Sequence, residues 1–424
     1  MDKLAAHGGE AVRKTPFPTA YLGVSFYGDE ELKEIADVIK EKSPFRHYGI
    51  GNPTKVSAFE EEAKKYFNRK FALAVSSGTG ALFCAMAAFG IGPGDEVILP
   101  SFGWFSDFYA ITNLGALPVF ADIDETLNID PVDFERKITS KTKAVIALDF
   151  QGCPADFEEI GRIAKKYNIK VVDDFAQAVG GSSGGKKLGS IGDVSVASFQ
   201  QNKVLSCGEG GMVLTDDEEY FARAVRYHDL GMLRDIFKDQ ITDKSITSPL
   251  NEFAGSHHRM NELSGAVMLA QIKKLDMIIG ICRKNHEKIR KHFENNKRFK
   301  IRYRDGDCGN TLFMLFNTEA EAKEFGGLLI AEGIPLGATS ACKNLLDTFP
   351  IKNKKLPHDL LPPFGAGFDG EHVIYDSNVD CPNTDKFTKR YIAAAIGPQF
   401  SEGDINDIIK AIEKVDRHIG GGTK

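Results

Sequence analysis

No apolar run in this 424-residue chain approaches the length that crosses a bilayer, so a membrane-spanning role is not expected. Long runs of charge are missing too. The 53 basic and 59 acidic residues are interspersed and leave a formal net charge of −6, which argues against nucleic acid and anionic membrane as partners. Seven cysteines, at positions 84, 153, 207, 282, 308, 342 and 381, are odd in number and contain no C-x-x-C pair. That pattern disfavours a zinc site and a disulfide framework, and it suits a reducing cytoplasm. The stretch MDKLAAHGGEAVRKTPFP has no apolar centre of signal-peptide length, which points the same way. No G-x-G-x-x-G opens a helix after a strand. Gly180-x-x-x-x-Gly185-Lys186 has the outline of a phosphate-binding loop, but Lys187 stands where the metal-binding Ser or Thr belongs. A turn or hairpin is the expectation there.

Short apolar segments at 71–75, 97–101, 117–120 and 143–148 alternate with helical patterns such as 81–89 and 106–114. Alternation of this kind predicts a mostly parallel sheet wrapped by helices, with ligands at the carboxyl ends of its strands. An amphipathic pattern over 266–297 predicts one long helix, and the composition turns to short strand-like and helical pieces after Lys300. The expected organisation is an arm over 1–28, a large domain over 29–294 and a smaller α+β domain over 295–424.

Residues 171–215 carry the clearest chemistry. Val171 and Val172 lead into Asp173 and Asp174, and roughly thirty residues later a second apolar run, 194–199, leads through Gln200, Gln201 and Asn202 to Lys203. The Gly-rich return Gly208-Glu-Gly-Gly211 follows. A strand-end acid with a strand-end lysine is what pyridoxal phosphate chemistry requires, the amine holding the cofactor as a Schiff base and the acid keeping its pyridine nitrogen protonated. Upstream, Ser76-Ser-Gly-Thr-Gly80 lies between a strand and an apolar helix, where free backbone N–H groups and the helix dipole would favour a phosphate.

Asp174-Phe-Ala-Gln177, Ser198-Phe, Lys203 and Gly208-Glu-Gly-Gly211, in that order and spacing, resemble the DegT/DnrJ/EryC1/StrS family of sugar aminotransferases. The resemblance implies the fold-type-I architecture of pyridoxal phosphate enzymes and extends from about Gly8 to about Pro382, where Cys381-Pro-Asn-Thr384 matches a landmark. It implies Lys203 and Asp174 as catalytic residues, with Gly78, Thr79 and Ser198 on the cofactor phosphate. Gln177 is implied close to the ring, and Trp104 over it. It also implies a two-fold dimer with shared sites, because relatives send an asparagine from one subunit to the neighbour's phosphate. Here His257 holds that place, a departure that leaves a hydrogen-bond donor but makes it titratable.

The expected activity is transfer of an amino group from L-glutamate to a keto or aldehyde carbon of a sugar, with 8-amino-3,8-dideoxy-octulosonate formation as the first reading. Arg46 or Arg234 would then meet the acceptor's carboxylate. Alternatives are a glutamine-dependent scyllo-inosose aminotransferase and a sugar dehydratase; the latter branch, by resemblance, has histidine where this chain has Lys203.

Overall fold

The computed structural model describes residues 3–337 and 344–421. After helices α1 (Asp29–Glu41) and α2 (Lys55–Phe67), strand β1 (Phe71–Val75) enters the main sheet, followed by α3 (Gly78–Ala88), β2 (Glu96–Pro100), α4 (Phe105–Thr112), β3 (Leu117–Ala121), β4 (Thr142–Leu148) and β5 (Lys170–Asp174). A hairpin of β6 (Ser182–Ser183) and β7 (Lys186–Lys187) precedes β8 (Val194–Ser198) and β9 (Gly211–Thr215). Gly184 and Gly185 at its tip both have positive φ, as a tight hairpin turn requires. The phosphate-loop outline is therefore a hairpin.

The seven main strands lie in the order β1-β9-β8-β5-β4-β2-β3. Only β9 runs against the rest, pairing antiparallel with both β1 and β8. The carboxyl ends of β1, β2, β4, β5 and β8 consequently share one edge of the sheet, and the amino end of β9 meets them there.

Both faces of this sheet are covered, and the strands divide their residues between two cores by simple alternation. Phe71, Leu73, Val75, Val172 and Val196 pack with α3, α4 and the helix Glu218–His228. Ala72, Ala74, Val171 and Ala197 pack on the other side with α2, Phe157–Tyr167 and Leu275–His292. The period-two rule puts Asp173 on the face of Val171 and Asp174 on the face of Val172. Adjacent acids thus meet unlike surroundings.

The single long helix expected over 266–297 is built in pieces: Glu262–Gln271, a 3-10 turn at Ile272–Lys274, and Leu275–His292. A second, antiparallel sheet of β10 (Phe299–Ile301), β11 (Thr311–Phe316) and β12 (Tyr391–Ala395) packs with helices Glu319–Ala331 and Glu402–Gly421. Residues near the start of the chain belong to this unit. Leu4 is buried in its core, Phe17 stacks on Phe400 at 5.2 Å, and Arg13 reaches Asp404 at 2.7 Å.

The span 295–424 does not stay with the small sheet. Leu345, Leu346, Ile351, Tyr375 and Cys381 are buried in the core of the large sheet beside α3 and α4. Asp122, just past β3, accepts hydrogen bonds from the backbone N–H groups of Asn383 and Thr384 at 2.8 Å each, tying down the start of the helix Pro382–Thr388. The Cys381 thiol is pushed up to about 12 by burial, which makes it inert.

Arg69 locks the lower part of the main sheet. Its guanidinium donates to the carbonyls of Gly189 (2.9 Å) and Gly192 (2.6 Å), to Ser195 Oγ (3.1 Å) and to Asp216 (2.8 Å). Removing it takes this donor from two buried carbonyls, those of Gly189 and Gly192, while Asp216 stays exposed to water. Arg69→Ala is expected to cost about 3 kcal/mol, measurable as a lower urea midpoint with an unchanged slope.

Candidate active site

At the end of β1 the chain turns into α3, and Ser77 caps it by accepting a hydrogen bond from the Gly80 N–H at 3.0 Å. The first N–H groups of a helix lack partners within it and present a positive end. Two positions around this end leave no room for a side chain. A Cβ on Gly78 would stand 2.6 Å from Ser198 Cβ, and one on Gly211 would lie 2.4 Å from the Ser77 carbonyl oxygen. Glycine is therefore required at both positions by close approach. Thr79 Oγ1 lies 2.8 Å from Ser106 Oγ, joining the start of α3 to the start of α4. Gly78, Thr79 and Ser198 are brought together, with Ser106 added.

Asp174 ends β5 on the face of α3 and α4, only 4 % exposed. Its Oδ1 accepts from the Ala176 N–H at 2.9 Å. Burial pushes its proton affinity up, opposed by that N–H, by a hydrogen bond with Asp107 and by the charge of Lys203. Asp173 faces the opposite way. Its Oδ2 accepts from the Gly189 N–H (2.7 Å) and Ser195 Oγ (3.1 Å), so it is absorbed into the fold.

Lys203 hangs on a tight loop between β8 and β9. Phe199 donates its N–H to Gly210 (2.8 Å), Gln201 to Gly208 (3.1 Å) and Cys207 to Phe199 (3.0 Å), with Gly208 at φ 86°. The half-buried lysine acts electrostatically on both Asp174 and Asp107. Gln177 lies in the turn after β5 and accepts from the Gln151 N–H at 3.2 Å. Trp104 sits immediately before α4 and is 56 % exposed, so it is no core residue.

Two acids at this edge were missed in the sequence. Asp107 lies in the first turn of α4, and Asp149 follows β4 directly. Asp149 carries the same signal that identified Asp174, an acid closing an apolar strand. Asp107 stands alone between Phe105, Ser106 and Phe108, and only the fold shows what it faces.

The two arginines expected at a substrate carboxylate are engaged elsewhere. Arg46 is buried, donating to Glu60 Oε1 (2.5 Å) and the Ala74 carbonyl (2.9 Å), so a substrate contact would break a buried pair. Arg234 donates to Asp229 Oδ2 at 2.6 Å, while Arg259 holds Oδ1 of the same carboxylate. Asp229, fully buried, is pushed up by desolvation, yet these two donors keep it below the usual carboxylate range. His257 is exposed and bridges by its backbone to Asp229, whereas His258 stacks on Tyr227 at 5.9 Å and lies against Gly80.

A family model, the DegT/DnrJ/EryC1/StrS aminotransferase family, matches residues 28–336. The chain belongs to that family. It is therefore a pyridoxal phosphate-dependent aminotransferase, and the site fits the group: an open helix N-terminus for a phosphate, a buried acid and an amine on one sheet edge. The chain is 34 % identical to GDP-perosamine synthase of Escherichia coli O157:H7, over 76 % of this chain and 87 % of that protein. It is 28 % identical to L-glutamine:2-deoxy-scyllo-inosose aminotransferase of Streptoalloteichus tenebrarius, over 98 % of each. Among solved structures, 3-amino-5-hydroxybenzoic acid synthase superposes with a TM-score of 0.78 at 25 % identity, covering 96 % of this chain and 100 % of that one.

His47 points at Asp229 from 3.6 Å, and burial lowers its pKa from 6.5 to about 4, helped by the charges of Arg46, Arg234 and Arg259. His228 is lowered in the same way, chiefly by burial. Between those pH values the unfolded chain takes up protons that the folded chain refuses, so stability falls as pH falls through that window. Denaturation in urea at pH 7 and pH 5 should show a loss of about 1 kcal/mol from His47 alone, recovered in His47→Gln.

Proposed function

We propose that this aminotransferase moves an amino group from L-glutamate to a keto or aldehyde carbon of a sugar or cyclitol. The observation that carries the reading is the convergence of Lys203 and Asp174 beside the open N-terminus of α3. Bound pyridoxal phosphate supplies a carbonyl that accepts and returns the amino group and a ring that takes up electrons. Lys203 tethers it and then carries a proton to and from the substrate carbon on Nζ. Asp174 keeps the ring nitrogen protonated, its carboxylate fixed by the Ala176 N–H. The N–H groups of Gly78 and Thr79, with Ser198 Oγ, would hold the phosphate, and Gln177 and Trp104 would stand next to the ring.

The octulosonate acceptor stands as the narrower proposal, but with Arg46 and Arg234 committed to Glu60 and Asp229, its carboxylate would need another cation. The full-length similarity to a glutamine-dependent cyclitol enzyme supports a second reading with glutamine as donor and a neutral cyclic ketone as acceptor. A dehydratase is disfavoured by Lys203.

The reading is tested by incubating the loaded enzyme with glutamate or glutamine and a panel of keto sugars and cyclitols, following release of the 2-oxo acid. Lys203→Ala should lower turnover by a factor of about 10³ or more and should abolish borohydride fixation of the cofactor to the chain. Fixation on another lysine, found by peptide mapping, would overturn the assignment.

The proposal includes a cytoplasmic homodimer with shared sites. Its support is the exposed apolar set Tyr48, Ile50, Leu230 and Met232, on segments that meet around Asp229 and His257. Mixing Lys203→Ala subunits with His257→Ala subunits should restore activity, because one site of each heterodimer regains both residues. Verified heterodimers without recovery would place His257 outside the neighbour's site.

A further inference from the structure

Asp107 is the one carboxylic acid of α4, which otherwise reads Phe-Ser-x-Phe-Tyr-Ala-Ile-Thr. It is 2 % exposed and hydrogen-bonded to Asp174. Two carboxyl groups can share a hydrogen bond only if one of them carries a proton. We propose that Asp107 is a positioning residue for Asp174, donating the hydrogen bond that fixes the carboxylate facing the cofactor ring. The inference rests on the reading of Asp174 given above.

The surroundings decide which partner keeps the proton. Burial drives Asp107 well above the usual carboxylate range, and the adjacent charge of Asp174 drives it further, while Lys203 opposes both. Asp174 is buried as deeply but has the Ala176 N–H and the Asp107 hydrogen bond on its charged form, with Lys203 also favouring it. Asp173 lies behind it on β5 and adds negative charge, and with Asp149 at the end of β4 it forms a second pair, in which Asp149 Oδ2 and Asp173 Oδ1 have no other hydrogen-bond partner. The positive end of α4 favours an anion at 107, but it is the weaker effect beside a buried like charge. Asp107 is accordingly the neutral acid and Asp174 the carboxylate.

A neutral donor at 107 lowers the proton affinity of Asp174 and stops its carboxylate from turning, so the ring nitrogen meets an ionised, aimed partner at mildly acidic pH. An amide can replace a neutral acid as a donor; an alkyl side chain cannot.

The experiment titrates pyridoxal phosphate into the cofactor-free protein from about pH 5 to about pH 8, reading the dissociation constant by absorbance. Asp107→Ala should bind roughly tenfold more weakly at the acid end, with the acid limb of the affinity profile displaced to higher pH. Asp107→Asn should stay within about threefold of the parent, with no displacement. If Asp107→Ala does not fold by circular dichroism, Asp107→Leu supplies the donor-free arm. Equal damage from Asn and Ala, or a parental profile in Ala, overturns the inference. Turnover of Asp174→Asn separates the two readings: a normal rate there removes the role of Asp174 itself, whereas a depressed rate with an undisturbed Asp107→Ala removes only the role of Asp107.

Discussion

Burying a carboxylate costs several kcal/mol unless donors or a countercharge meet it, and this protein buries four carboxyl groups at one sheet edge, those of Asp107, Asp149, Asp173 and Asp174. Much of the local architecture follows from meeting that cost. The Gly189 turn and Ser195 serve Asp173, Ala155 donates to Asp149 at 2.7 Å, the Ala176 turn serves Asp174, and Lys203 sets a positive charge against Asp107 and Asp174. Three of the four sit at or just past strand ends, where parallel strands deliver side chains to the same place. An acid needed for its charge and acids needed for their hydrogen bonds are therefore neighbours, separated by which way each side chain leaves its strand.

The main sheet was legible because strands buried on both faces read as continuous apolar runs, and the hairpin at 182–187 because its glycines cannot be excused otherwise. The positions of Lys203, Asp174, Ser198 and the start of α3 were legible because each closes a strand or lies in the turn after one, so they depend on local sequence. Arg46 was not. Its partners, Glu60 and the Ala74 carbonyl, come from different elements, and an arginine in a glycine-rich loop gives no hint that α2 will claim it. Asp107 escaped for the same reason: a single acid in an aromatic helix is indistinguishable from a surface residue until β5 is known to lie beneath it.

The Asp229 cluster shows how a fold can absorb residues that look available for ligands. One fully buried carboxylate gathers Arg234 and Arg259 and has His47 close by, fixing the segments around 47, 234 and 257 relative to one another. The exposed His257 is thereby presented from a base that these ion pairs hold in place.

The return of residues 345–381 to the large core bears on how the chain is made. Leu345 donates its N–H to the Ser101 carbonyl at 2.8 Å, and Tyr375 stacks edge-on against Phe120 at 5.3 Å. Strands laid down in the first third of the polypeptide thus wait for side chains more than two hundred residues downstream. On the ribosome the apolar patch over α4 and β3 stays open until that late segment emerges, and such long-range closure slows folding and lengthens exposure to aggregation. The sheet edge that carries Asp174 is thus encoded well before the segment that walls in α4 and β3.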